Sequence, residues 1–547
     1  LYPNDTRFID GINEGAQLLL TWATKQHQNS QYATAIDRYD HILDAPGVDS
    51  TIKKETEIKR SYAVKGGGIP SADWLYNQAV ANTTASGQFD LFERGYTLYP
   101  EDQRFLSGFN SSALNLFIWA IDQHESRRFE VAIQRYDKLL ESPYVSESIK
   151  NIALKNRTQA MLNKIPTRQI VEYTGYSTSL LQALNIQMNL STPPQTDDYR
   201  NEPGYIQSSF VDEIEIGAIS GNGVNVRKTA TLDGVVYANL AYGTAFEVIK
   251  TVSGDTTSGS NKWYQIKYNS ETLYVHSSLV NITNGVKVTK TANIYETTNT
   301  GSHVYTTVKA NELLLIENKG TNWFEVSIGT WRNAKTNDVL AMLNPDNNDM
   351  YQHLVLSTSA GVDESEINKL LSGKGILDGE GQTFINAGFE NSVNEVYLIS
   401  HALLESGNGT STLANGIDVG INNAGNLELA TTNNRSKLTN IKTTYNMFGI
   451  GAVDSDPERL GAFKAYEEEW YSPEAAIIGG AKFIGDRYIH NSYEQNTLYK
   501  MRWNPANPGY PQYATDIKWS VKQISNVKNL YDKLENPILE FDIPRYN

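Results

Sequence analysis

The sequence predicts a multidomain protein: α-helical repeats first, two small β-rich units next, and a mostly helical α+β domain last. Three observations carry this. An apolar pattern of helical period repeats itself within the first 165 residues. Short alternating segments with Gly and Asp-Gly punctuation take over near residue 213. Helical periodicity returns at Trp331 and runs towards the end.

The repeat is direct. LYPNDTRFIDGINEG, at the start, returns as LYPEDQRFLSGFNSS from Leu98, and the register then holds without a gap. Trp22 matches Trp119, and Gln26-His27 match Gln123-His124. Ile36, Arg38, Tyr39 and Asp40 match Ile133, Arg135, Tyr136 and Asp137. Ile36, Tyr39 and Leu43 share one helical face, and so do Ile133, Tyr136 and Leu140. Helices that end just before Pro46 and Pro143 make the two blocks, 1–97 and 98–170, resemble tetratricopeptide-type hairpins. Such stacks bury their faces between neighbours and offer a binding surface. Trp22, Trp119, Tyr39 and Tyr136 are expected in the core. Residues 171–212, which include STPPQTDDYRNEPG, read as a linker.

Residues 213–282 alternate as strands do, in GVNVRKTATLDGVVYANLAYGTAFEVIK, NKWYQIKY and ETLYVHSSLV. Asn225-Val226-Arg227, the Tyr242-Gly243-Thr244 turn and Trp263-Tyr264 make this unit resemble a bacterial SH3 domain. Tyr274 departs from the family, where Gly-Trp is commoner. Residues 283–330 repeat the theme through Asn293-Ile294-Tyr295, NELLLIENKG and Asn322-Trp323-Phe324-Glu325-Val326, as a second, diverged SH3-like β-barrel. The resemblance implies cell-wall binding; the alternative is a spacer.

Composition removes several classes. The chain of 547 residues is 40% hydrophobic and 20% charged, normal for a soluble globular protein of about three to five domains. It has no cysteine, so disulfides and thiol nucleophiles are excluded. Its eight histidines are scattered without an HExxH-type pairing, and no metal site is expected. A net charge of −15 argues against nucleic acid as partner. No run of about 18 apolar residues predicts a membrane span. The chain starts at Leu1 and reads as a mature or trimmed product, compatible with export.

The chemistry centres on EVYLISHALLESGNGTST, residues 395–412. Val396, Ile399 and Leu403, with Leu398 and Ala402, give a helix with one broad apolar face. Ser406-Gly407-Asn408-Gly409 stops it and leaves Glu405 on the last turn. The negative end of the helix dipole disfavours an ionised carboxylate there. Shielded from water, such a Glu stays protonated near neutral pH, as a general acid must. The alternative is an ordinary solvated Glu. His401, one turn earlier, reads as a packing or supporting residue.

Downstream, GIDVGINNAGNLELATTNN predicts one hairpin and YNMFGIGAVDSDP a loop. SPEAAIIGGAKFIGDRYIH predicts a helix capped by Ser472 with Pro473 at its first position. A helical core with one small hairpin and a Glu at a helix end is the plan of lysozyme-like folds, here over 331–547.

Longer motifs sharpen this. SAGV (359–362), LLSGKGIL (370–377), LISHALLESGNGTSTLANG (398–416), YNMFGI (445–450), GGAKFIGDRYI (479–489) and the stretch from QNTLYKMRWNPANPG to QYATDI (495–517) are long and ordered. On them, residues 331–547 resemble the glucosaminidase domain of Gram-positive, Bacillus-type autolysins, glycoside hydrolase family 73. The resemblance implies a secreted, cell-wall-associated endo-β-N-acetylglucosaminidase that needs no cofactor. Its substrate would be peptidoglycan glycan strands, cut at the β-1,4 bond between N-acetylglucosamine and N-acetylmuramic acid. Stem peptides or wall polymers are expected partners of the SH3-like units. Glu405 stands at the family's general acid.

The second participant stays open. A direct nucleophile would lie about 5–5.5 Å from Glu405, and a base with room for water about 6.5–9.5 Å away. In a third route the substrate's own N-acetyl group attacks. Glu428, in GNLELA, alternates with Leu427 and Leu429 and is the candidate base; Asp418 is the alternative in the same hairpin. Asp454 and Asp456 read as turn formers before Pro457. Tyr445, Asn446, Phe448, Tyr499, Gln512 and Tyr513 are the candidate substrate-binding residues, because a sugar needs aromatic faces and polar edges. Trp503 is read as groove or core. Two further readings are a non-catalytic wall-binding scaffold and a lytic transglycosylase of similar fold.

Overall fold

The structure is a computed structural model that describes residues 6–166, 168–452 and 456–547. The sequence repeat is a structural one. Helices Thr6–Gln28, Tyr32–Asp44 and Ser50–Val64 return, with the same lengths, as Gln103–Glu125, Phe129–Glu141 and Glu147–Met161. The matched residues explain why. Tyr39 and Tyr136 are fully buried, so each hydroxyl needs a partner, and His27 and His124 supply it at 3.3 Å in both copies. The other imidazole nitrogens meet the carbonyls of Gly67 and Lys164. The tryptophans differ from expectation: Trp22 is 40% exposed beneath Arg38, and Trp119 lies partly buried beneath Arg135. A guanidinium over the ring holds each at the surface.

The second repeat does not stand apart. Its Gln103–Glu125 helix lies against the Gly381–Asn391 helix, where Ser107 accepts from Asn386 at 2.7 Å and Ser111 donates to Gln382. Phe105, Phe109 and Phe117 belong to the same apolar core as Phe384, Leu398 and Leu530. Lys155 reaches both Glu172 and Glu540 at 2.7 Å.

The segment expected as a linker, 171–212, is built into the rest. Strand Gln169–Tyr176 pairs in parallel with Leu539–Tyr546 at the C-terminus. Helix Leu180–Met188 packs into a core with Val339, Tyr499 and Trp503. Strand Gly204–Gln207 pairs with Trp323–Val326. Polar composition misleads here because backbone hydrogen bonds, rather than apolar side chains, tie much of this stretch down.

The β region has two main cores, with a smaller cluster of Ile216, Ala218 and Leu315 besides. One gathers Val226, Phe246, Ile266 and Leu273, the other Ile206, Val286, Ile294 and Phe324. Strand Val211–Ile219 pairs antiparallel with Val280–Val288 along its whole length and joins them. Because Gly204–Gln207 completes the second core, that unit is not confined to 283–330 as expected. The first unit is threaded into it.

The C-terminal region is mostly helical, with a three-stranded sheet in the order Leu427–Leu429, Ile417–Ile421, Thr439–Thr444. The hairpin expectation lacked the third strand, whose TNIKTT pattern is polar apart from Ile441. Ser472 caps helix Pro473–Ile484 with Pro473 in its first turn. Among the described residues, no helix is long and apolar enough to cross a membrane.

Helix Glu395–Glu405 runs through the middle, capped by Asn394, which accepts from the Tyr397 amide. Glu395 is 3% exposed, accepts from the Ser359 hydroxyl at 2.9 Å and the Ala360 amide at 3.0 Å, and is pushed by burial up to about 7. Its folded pKa lies above the ordinary 4.5, so between those values the native state holds a proton that the unfolded state releases. Stability is therefore expected to fall as pH rises through that window. Glu395→Gln should flatten the slope, as thermal unfolding midpoints at about pH 5 and about pH 8 will reveal.

Candidate active site

Glu405 ends its helix because the next residues cannot continue it. Gly407, Asn408 and Gly409 all take positive φ. A Cβ on Gly409 would stand 2.0 Å from the Lys374 carbonyl, so the chain at 374–376 closes directly onto the helix stop. The Ile376 amide donates to the Gly409 carbonyl there.

The Glu405 side chain is 41% exposed, and burial alone raises its carboxyl above the ordinary value. Among the described residues no Lys or Arg pairs with it. His401 Nε2 lies 3.8 Å from Oε1, beyond hydrogen-bond reach. Burial pushes that imidazole down to about 4, so it is neutral near pH 7 and offers Glu405 no charge. His401 is wedged between Tyr397 and Phe448, with ring centroids at 5.9 and 5.6 Å. On the other side the backbone comes close: a Cβ on Gly449, which has φ +63°, would be 3.2 Å from Glu405 Oε2.

Two hollows flank the carboxyl. The smaller is lined by Tyr397, His401, Tyr513, Trp519 and Gln523. The larger, about 350 Å³, is lined by Phe448, Gly449, Ile450, Arg487, Tyr488 and Tyr513. Tyr513 borders both. It stacks on Trp519 at 4.4 Å and tilts against Tyr488 at 5.0 Å. Neither hollow is lined by a second carboxylate. Among the described residues, no group of three or more His, Asp and Glu is placed to hold a metal ion.

The other sequence candidates separate. Tyr513 and Phe448 line the hollows. Tyr445 is half-buried, packs over Gly416 and lines neither hollow. Asn446 is a correction: it is buried and holds its own loop, donating to the carbonyls of Ile450 and Gly461 and accepting from the Ile450 amide. Tyr499 is a second correction: it is fully buried, and its hydroxyl pairs with the Leu343 carbonyl and Tyr546. Gln512 is a third, its carbonyl oxygen spent on Arg502 at 2.6 Å. Trp503 is core, beneath Arg502. In each case a motif residue supports the wall of the site rather than its surface.

Glu428 lies on the small sheet, where its carboxylate accepts from Asn434 at 2.7 Å and Asn422 at 3.3 Å; those bonds hold it below the usual range. Asp418 is occupied by Thr443 and Arg435, and Asp456 by Arg459. Asp454 lies outside the described residues. Sequence reasoning missed Trp519, Gln523, Arg487 and Tyr488. Tyr488 is distant in sequence from Tyr513 and Trp519 and meets them only in the fold; an aromatic opening the Trp519–Tyr531 helix was the one local hint.

A partly shielded carboxyl at a helix end, beside stacked aromatic rings, is an arrangement suited to giving a proton to a bound molecule. Residues 381–532 match the family model described as mannosyl-glycoprotein endo-beta-N-acetylglucosaminidase, and residues 222–281 match that of the bacterial SH3 domain. The chain carries a domain of the glucosaminidase family together with a bacterial SH3 domain. It is 48% identical over 231 residues to a beta-N-acetylglucosaminidase of Bacillus subtilis, covering 41% of this chain and 24% of that one. It is 46% identical over 224 residues to a bifunctional autolysin of Staphylococcus aureus, covering 40% and 17%. A crystal structure of a major bifunctional autolysin aligns at 41% identity over 40% of this chain and 85% of that one, with a TM-score of 0.32. The chain spans about a quarter or less of the length of the curated relatives it matches.

Proposed function

We propose that the protein is a peptidoglycan hydrolase, an endo-β-N-acetylglucosaminidase that cleaves the β-1,4 bond between N-acetylglucosamine and N-acetylmuramic acid. The observation that carries this is the Glu405 carboxyl, raised by burial with no cation beside it, in a domain of the glucosaminidase family. A glycosidic oxygen is a poor leaving group until protonated. Glu405 supplies the proton as an oxocarbenium-like transition state forms. Tyr513 and Trp519 offer a flat apolar surface on which a sugar ring can lie.

Water activation needs an ionised group. Glu428, half-buried and held by two side-chain amides, is suited to it, and we assign it that role. Glu428→Gln is then expected to lower kcat by about two orders of magnitude. Retained turnover would pass the role to the substrate's own N-acetyl group. The bacterial SH3 domain supports wall binding and a secreted, wall-associated setting. The second β core is read as a further SH3-like unit, and the helical repeats as a tetratricopeptide-like scaffold.

Mass spectrometry of the muropeptides released from purified walls tests the activity. Reducing N-acetylglucosamine ends are expected. Anhydro-muramic ends would make the protein a lytic transglycosylase, and wall binding without release would make it a scaffold.

A further inference from the structure

The larger hollow beside Glu405 is lined by a positive charge, Arg487, that has no carboxylate partner among the described residues. Arg487 lies on the Gly485–Ile489 segment, a wide π-type turn of the kind that often marks functional positions. Its guanidinium is propped over the rings of Phe483 and Tyr488, at 5.7 and 5.8 Å. Among the described residues no carboxylate pairs with it, although the chain carries an excess of 15 negative charges. The neighbouring acid, Asp486, is bound by Lys482 at 2.5 Å. Arg487 lines the same hollow as Glu405 and, among the described residues, forms no ion pair with it. It does act on the Tyr513 hydroxyl, which faces the same hollow. A guanidinium presents a planar fork of donors that matches a carboxylate in two parallel bonds.

We propose that Arg487 is a specificity-determining residue that binds a carboxylate of the glycan substrate next to the scissile bond. The inference rests on the glucosaminidase reading above. Muramic acid offers two such groups: its own lactyl carboxylate when no peptide is attached, and the glutamate carboxylate when a stem peptide is present. Both would meet the same fork.

The test compares the full chain with Arg487→Gln and Arg487→Lys on three soluble glycans of equal length. One has free lactyl carboxylates, one carries L-alanyl-D-glutamate, and one is capped as the neutral alanine amide. Arg487→Gln is expected to raise KM about tenfold on one or both carboxylate substrates, with kcat nearly unchanged and the neutral substrate unaffected. Arg487→Lys, which keeps the charge but loses the fork, should recover part of the loss. The substrate that responds identifies the source of the carboxylate. An equal rise on the neutral glycan, or no rise on either acidic one, overturns the proposal. If the unaltered chain cleaves none of the three but binds walls, the glucosaminidase reading fails instead.

Discussion

Glu405→Gln should lower kcat on cell walls by about a thousandfold while the protein stays folded. Glutamine keeps the shape of the side chain and its contact with the Gly449 backbone, but it has no proton to transfer. The side chain is partly open to water, so the amide is not stranded without partners. Turbidity loss of wall suspensions measures the rate, and the unfolding midpoint is the control. Equal lysis by both forms would remove Glu405 from the mechanism. The pH dependence follows from the same carboxyl. The acid must be protonated to act, so kcat is expected to hold at low pH and fall as pH rises through the raised pKa. In Glu405→Gln the residual rate should lose that limb.

The largest effect on stability is expected at Asp542. Its carboxylate accepts from Lys500 at 2.5 Å and from Thr174 at 2.7 Å, and so joins the Leu498–Trp503 helix to both strands of the parallel pair. The Lys500 side chain is 3% exposed. Asp542→Ala leaves that ammonium buried with only Asn496 as partner, and should destabilise the fold by about 3–5 kcal/mol. Denaturant unfolding measures the loss. Removing both charges as Lys500→Met with Asp542→Leu should restore much of it, since no buried charge is then left alone. If the single substitution is harmless, the pair contributes nothing.

What could be read in advance divides along physical lines. Local signals carried: the helix stop after Glu405, the Ser472 cap and the matched helices of the repeat depend on residues close in sequence. The place of Glu405 at that helix stop was legible for the same reason, whereas its role as an acid came only with the family resemblance. The groove was not. Asn446, Tyr499 and Gln512 sit in family motifs, yet each spends its polar group on nearby backbone or on Arg502, which no spacing rule reveals. Trp519 and Arg487 face the site only because distant helices meet there. The same limit hid the ties of residues 169–207, whose partners lie near residues 325 and 540.

Those ties set an order of events. Strand Leu539–Tyr546 follows the helices around Glu405 in sequence, and its parallel partner Gln169–Tyr176 precedes the whole β region. The partners meet only by closing a loop that holds the whole β region and the helices around Glu405, and closing so long a loop is slow. A chain cut short near its end would leave the Gln169–Tyr176 edge open and Lys500 without Asp542. The groove around Glu405 is built on that same core, so its assembly depends on that long-range closure.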